Sequence, residues 1–140
     1  MSQGKNQDTL PYGATSHGVT VEVRPYYLPD QSDPETDRHV WGYHIRISNH
    51  APEPVQLRRR YWRITDGRGQ VHEVRGEGVV GEQPLLASGE YFEYDSGVPL
   101  TTASGFMTGH YEMERADGAA LIVEIPTFSL DAPDARQRVH

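Results

Sequence analysis

The chain has no cysteine among its 140 residues. That excludes disulfides, zinc–thiolate sites and thiol nucleophiles. It also lacks any run of about 18 apolar residues, so no membrane-spanning helix is expected. The opening stretch MSQGKNQDTLPYGATSHG has no apolar core of a secretory signal, and a cytoplasmic location is the expectation. Helical periodicity is missing as well: no stretch longer than about ten residues repeats apolar side chains at helical spacing. Positive charge is scarce. The net charge is −7, and such a surface on average repels nucleic acid and anionic membranes.

What positive charge there is concentrates in one place. From Pro54 to Arg75 there are six arginines (Arg58, Arg59, Arg60, Arg63, Arg68, Arg75) against Asp66 and Glu73, a window of +4, while the rest of the chain carries −11. The length suits one domain with one core. Residues 1–17 are polar and without period, and are expected to be a disordered N-terminal arm. Residues 131–140 are expected to be a flexible tail, which leaves 18–130 as the folded domain.

That domain reads as strand throughout. GVTVEVRPYYL alternates Val19, Val21 and Val23, and HVWGYHIRISN alternates Trp41, Tyr43, Ile45 and Ile47 against His44 and Arg46. Such alternation marks half-buried strands. In VQLRRRYWRI the apolar phase flips from Val55 and Leu57 to Trp62 and Ile64, which predicts a bulge near Arg59–Tyr61. VHEV, EYFEY, GFMTGHYEMER and ALIVEIPTF follow, with a DG turn signal at Asp117–Gly118 and with Pro126 marking an edge or an end. About seven strands separated by turns predict an all-β antiparallel sandwich of immunoglobulin or fibronectin type III kind.

The stretch VRGEGVVGEQP holds Gly76, Gly78 and Gly81 as a GxGxxG. A dinucleotide loop of this spelling needs a strand before it and a helix after it. QVHEV supplies the strand, but EQPLLASGEYFEY returns to strand pattern by Tyr91 and supplies no helix. Two roles stand for the glycines. They give the chain positive φ and close backbone approach between strands, or their N–H groups form an anion nest beside Arg60 and Arg75. Glu77 and Glu82, inside the loop, oppose the second.

RYWRITDGRGQVHEVRGEGVVGEQPLLASGEYFEYDSG, with GFMTGHYEM, IPTFSL, YYLPDQSDP and ISNHAPEPVQL, strongly resembles the bacterial ApaG (DUF525) family over about Val19 to Leu130. The resemblance implies a fibronectin type III-like sandwich without a defining catalytic activity. It also implies use as a binding module, since a similar domain occurs in a eukaryotic F-box protein and a DNA polymerase delta-interacting protein. Genes of the family neighbour a dinucleoside tetraphosphate hydrolase and are linked to cobalt resistance and magnesium efflux. Ser88-Gly89-Glu90 departs from the family's usual Pro-Gly-Glu, and Arg58, Arg59 and Arg63 are additions to its pattern.

Other constellations point less sharply. On a regular strand Arg58 and Arg60 would share a face, ready for phosphate, with Tyr61 or Trp62 to stack on a base. A solvated face paired to carboxylates, with Trp62 in the core, is the plainer alternative. His44 paired across strands with His72 or His110 would suit a divalent metal; scattered surface histidines are the alternative. Asp30, Asp33, Glu35 and Asp37 lack EF-hand spacing and read as a solvated loop. No GxSxG is present, and Glu112 and Glu114 share a strand face with nothing enzyme-like around them. GVPLTTASGFMTG reads as a connection in which Tyr91, Leu100 and Phe106 offer apolar anchors or core. No catalytic residue, metal ligand or cofactor is assigned. The expectation is a non-enzymatic module that binds a protein partner, with a homodimer through an edge strand such as VTVEV as a further prospect. The alternative is a sensor of nucleoside polyphosphates or another phosphate ligand at Arg60, Arg75, Gly76, Gly78 and Gly81.

Overall fold

A computed structural model describes residues 9–133. The expectations for residues 1–8 and 134–140 lie outside the described residues. Among the described residues nine strands run in chain order: β1 Tyr12–Ser16, β2 Val19–Tyr27, β3 His39–Asn49, β4 Val55–Asp66, β5 Val71–Glu77, β6 Leu85–Leu86, β7 Tyr91–Leu100, β8 Ser104–Arg115 and β9 Ala120–Asp131. All pairings are antiparallel. The first sheet has the order β1-β2-β3-β7 and the second β5-β4-β8-β9, with the short β6 pairing β4.

The alternation in the sequence becomes the core between the sheets. Val19, Val21, Val23, Trp41, Ile45 and Ile47 of the first sheet face Leu57, Trp62, Tyr111, Met113, Val123 and Phe128 of the second, all buried. Phe128 sits among rings, 5.8 Å from Tyr43, 5.9 Å from Trp62 and 6.0 Å from Tyr12. Each such side chain contributes roughly 1.5–3 kcal/mol by leaving water.

Four expectations are corrected here. Residues 12–16 are not part of an arm: they form β1, hydrogen-bonded to β2 from Tyr12↔Val23 to Ser16↔Val19. YGATS carries one large apolar side chain, and what anchors it, Phe128, lies far along the chain. With β1 in place VTVEV is an interior strand, not an edge. The bulge in β4 falls between Leu57 and Arg59, slightly before its expected position. The supposed connection around GVPLTTASG is largely strand. Only residues 101–103 separate β7 from β8; Leu100 is buried, while Tyr91 and Phe106 are exposed.

Pro126 lies on an edge strand but not at its end. The β8–β9 register shifts between Met107 and Gly109, so Pro126 and Thr127 occupy a bulge, where a missing N–H costs no ladder bond. The open side of β9 is covered by β1: Glu124 N–H donates to Ser16 Oγ at 3.1 Å and Ser129 N–H to the Tyr12 hydroxyl at 3.4 Å. β5 and β7 therefore remain as the outermost strands on the other side.

Candidate functional site

The bulge in β4 decides where the arginines point. Two residues, Arg58 and Arg59, stand opposite Glu112, and both side chains reach the outer face of the second sheet. Arg58 Nε lies 2.8 Å from Glu114 Oε1 and Arg59 Nη1 2.9 Å from Glu112 Oε1. Arg60 turns the other way, in line with Trp62. Arg58 and Arg60 thus do not share a face, because the inserted residue reverses the phase.

Arg60 pairs across the ladder with Gly76 and Tyr111. Its Nη1 donates to the carbonyls of Gly78 at 2.8 Å and Glu77 at 3.3 Å. A Cβ on Gly76 would come within 2.8 Å of that same nitrogen, so glycine is what lets the guanidinium lie across β5. On its other side the Arg60 charge acts on Tyr43, Tyr94 and Tyr111. The Tyr94 and Tyr111 hydroxyls are buried and 2.6 Å apart. Burial pushes both far above the ordinary phenol range, and Arg60 opposes that only in part.

The glycine loop closes as a tight hairpin. Val79 and Glu82 exchange N–H···O=C bonds, both at 2.8 Å. The two residues between them, Val80 and Gly81, have φ of 42° and 81°, the signature of a primed two-residue turn. A β-branched residue rarely adopts positive φ, so Val80 is strained. Gly78 N–H donates to Arg58 O at 2.9 Å, and a Cβ on Gly78 would meet Glu82 O at 2.4 Å. The N–H groups of Gly78, Val79 and Glu82 are therefore committed within the chain, while the carbonyls of Glu77 and Gly78 grip a guanidinium.

Of the five residues singled out from the sequence, Arg60, Arg75 and Gly76 line one concavity of about 380 Å³, together with Arg59, Tyr61, Glu77, His110 and Glu112. Gly78 and Gly81 do not line it. Arg75 stacks over Tyr61, its Cζ 4.7 Å from the ring centroid, and Tyr61 lies 5.0 Å from the His110 ring. The Tyr61 hydroxyl donates to Glu73 Oε2 at 2.7 Å, which raises its pKa above the usual phenol value. The concavity adjoins two more, of about 440 and 380 Å³, which run past Arg58 and Glu114 to Pro54, Gln56 and Leu85. Sequence reasoning named Tyr61 and His110 without joining them. Their pairing across β4 and β8 rests on a register that sequence does not print.

The first sheet's outer face is built differently. Arg46 Nη2 lies 2.9 Å from Glu22 Oε1 and Nη1 3.5 Å from Glu93. His44 lies 2.8 Å from Asp95 through Nδ1 and 3.3 Å from Glu93 through Nε2. The Tyr26 hydroxyl donates to Asp95 Oδ2 at 2.7 Å. To do so its ring crosses β3 over Gly42, where a Cβ would stand 2.4 Å from the ring. Partial burial pulls the Asp95 carboxyl up, but hydrogen bonds from His44 and Tyr26 outweigh it and hold the group below its ordinary value. In return, chiefly through that hydrogen bond, Asp95 pushes the Tyr26 hydroxyl up to about 12. His44 belongs to this face and His72 and His110 to the other sheet, so the histidine pairs weighed for a metal do not form and the histidines stand scattered. Among the described residues no group of three or more His, Cys, Asp or Glu side chains is arranged to hold a metal ion.

Comparison with known proteins matches residues 29–115 to the ApaG domain. The Protein ApaG of Parvibaculum lavamentivorans is 57% identical over 129 residues, covering 92% of this chain and 99% of its own. That of Brucella anthropi is 55% identical over the same shares. Among solved structures, a putative ApaA protein from Bordetella pertussis has 46% identity and a TM-score of 0.81, with 91% of this chain and 100% of that one covered. The C-terminal domain of wzt, at 9% identity and a TM-score of 0.52 over 89% of this chain and 78% of its own, is alike in fold alone.

Proposed function

The chain belongs to the ApaG family, and from that premise we propose a non-enzymatic module that binds a protein partner on the outer face of its second sheet. One observation carries this reading. The adjoining concavities from Pro54 and Leu85 to Tyr61 and Arg75 form a groove across β4 and β8 that opens at β5. Exposed Leu85 lines it, and exposed Ile122 stands on β9 opposite the lining residue Glu112. An accessible groove with apolar margins and paired charges inside suits an extended polypeptide. The sandwich is also assigned to the fibronectin type III kind. Without β1 and β6, seven strands remain in two sheets, β2-β3-β7 and β5-β4-β8-β9, with Trp62 buried on the strand equivalent to C.

The test places a photo-crosslinking residue at Ile122 or Leu85 in the groove's margin, and at Thr20 on the first sheet as comparison. A single protein partner captured from the first two positions and not from Thr20 is expected. Equal capture from all three sinks the proposal. A phosphate sensor is the second reading, favoured by Arg75 stacked on Tyr61 beside His110. Amide-resolved NMR titration with ATP and then diadenosine tetraphosphate distinguishes it. Shifts confined to residues 58–63 and 75–81 would support the sensor, and an unchanged spectrum at millimolar ligand would dismiss it.

A further inference from the structure

We propose that β5 is an interface between two copies of this chain, paired antiparallel about a twofold axis at Val74. The backbone phase supports this first. Hydrogen bonds from Asp66 N–H to Gln70 O and from Gly78 N–H to Arg58 O bracket the β4–β5 register. Hydrogen-bonded pairs alternate along an antiparallel ladder, so His72, Val74 and Gly76 turn their backbone groups toward β4. Those of Glu73 and Arg75 turn outward, on the terminal strand of the sheet. In a pairing centred on Val74, Glu73 stands opposite Arg75 of the second copy and exchanges both backbone bonds with it. Val74 then meets Val74 of the second copy at a non-hydrogen-bonded position, where side chains come closest.

Charge selects this register. Scattered charges on an edge strand guard it against pairing. Here their order is antisymmetric about Val74, which is 40% exposed. Glu73 meets Arg75 twice, once on each side of the axis. Moving the axis to Glu73 sets Glu73 against Glu73, and moving it to Arg75 sets Arg75 against Arg75. An axis at Gly76 would again oppose unlike charges, Arg75 and Glu77, but both of its central pairs use the Glu77 carbonyl, which also accepts from Arg60; about Val74 that carbonyl enters only at the flanking pair with Val71. The self-complementary order gives the isologous contact that twofold dimers require. It does not rest on the partner reading above, because strand addition lies in the plane of the sheet. It leaves the outer face open and adds Glu73 of the second copy beside the Arg75–Tyr61 concavity.

The experiment is sedimentation equilibrium of the full chain over a wide concentration range, with Glu73→Arg, Arg75→Glu and their equimolar mixture. The wild type is expected to associate to a dimer as concentration rises. Each variant alone sets like charges together twice and is expected to weaken association at least about tenfold. Mixed, the two variants restore both unlike pairs and are expected to form a heterodimer. Mere loss of local structure in either variant would not produce that recovery. Amides of Glu73 and Arg75 are expected to gain exchange protection with concentration in the wild type. A wild type monomeric at millimolar concentration, single variants that dimerise like the wild type, or a mixture that stays monomeric would each overturn the proposal.

Discussion

β5 and β7 end their sheets on the same side of the sandwich, and both carry charges at every second position along part of their free sides. The hydrogen bond from Asn49 N–H to Glu90 O sets the β3–β7 phase, leaving Glu93, Asp95 and Pro99 facing outward. Self-pairing of β7 about Tyr94 would set Glu93 against Asp95 of a second copy, and Pro99 has no N–H to give. Its carboxylates are already engaged by Arg46, His44 and Tyr26. β5 carries Glu73 and Arg75 at the corresponding spacing, and there the same operation brings unlike charges together. The amount of charge does not separate a guarded edge from a pairing edge; whether two outward charges flanking one residue have like or unlike sign does.

The faces differ in the same spirit, through what their glycines admit. Gly42 in the first sheet makes room for a side chain, the Tyr26 ring. Gly109 in the second makes room for backbone: a Cβ there would stand 2.1 Å from Tyr61 O. A ring 38% exposed can swing aside, whereas a ladder carbonyl between β4 and β8 cannot. Gly109→Ala is therefore expected to lower stability by about 3 kcal/mol or more. Gly42→Ala should cost no more than about 1 kcal/mol, the worth of one exposed hydrogen bond. Urea midpoints measure both, and equal losses would break the comparison.

Much of this frame was legible in the sequence, and the residues show where legibility stops. Alternation is local, so β2, β3 and the phase flip of β4 could be read directly. β1 could not, since only Tyr12 marks it and its anchor comes from β9. Nor could the site be read whole. Arg60, Arg75 and Gly76 fall on neighbouring strands joined by a tight connection, and a sequence motif drew attention to them. The role of Gly76 under the Arg60 guanidinium follows only from the register. His44 and Asp95, or Tyr61 and His110, meet through pairings between strands distant in sequence. Periodicity gives a residue's face but not its neighbour across the ladder.

Where the two regions meet, Tyr94 of the first sheet and Tyr111 of the second share one buried hydrogen bond of 2.6 Å. Removing either hydroxyl leaves the other buried without that partner, which costs about 1–3 kcal/mol. Tyr94→Phe and Tyr111→Phe are each expected to fall in that range, while the double variant should be no less stable than either single one. A double-mutant cycle in urea tests this. Additive losses would mean that each hydroxyl has its own support and that the pair does not couple the sheets.

The smallest effect expected is electrostatic and separates the faces by pH. Asp95 is held below its ordinary value when folded. The unfolded chain therefore takes up that proton first as pH falls. The stability from this carboxylate is full above the ordinary value and drains away as pH drops through the folded one. Tyr26 behaves in the opposite sense: its hydroxyl is raised from 10.0 to about 12. Its contribution is full below pH 10 and is lost as pH rises from there to 12. Tyr61 on the second face is also raised by a carboxylate, but there Arg75 and Arg63 pull against the shift. Unfolding titrations should thus show a steeper alkaline loss that Tyr26→Phe removes more completely than Tyr61→Phe. Asp95→Asn should remove the same share of the alkaline loss as Tyr26→Phe, leaving the loss from the buried Tyr43, Tyr94 and Tyr111, and should also lessen the acid loss. If Asp95→Asn leaves untouched the part of the alkaline loss that Tyr26→Phe removes, Tyr26 is detached from the network and the first face is no more closed than the second.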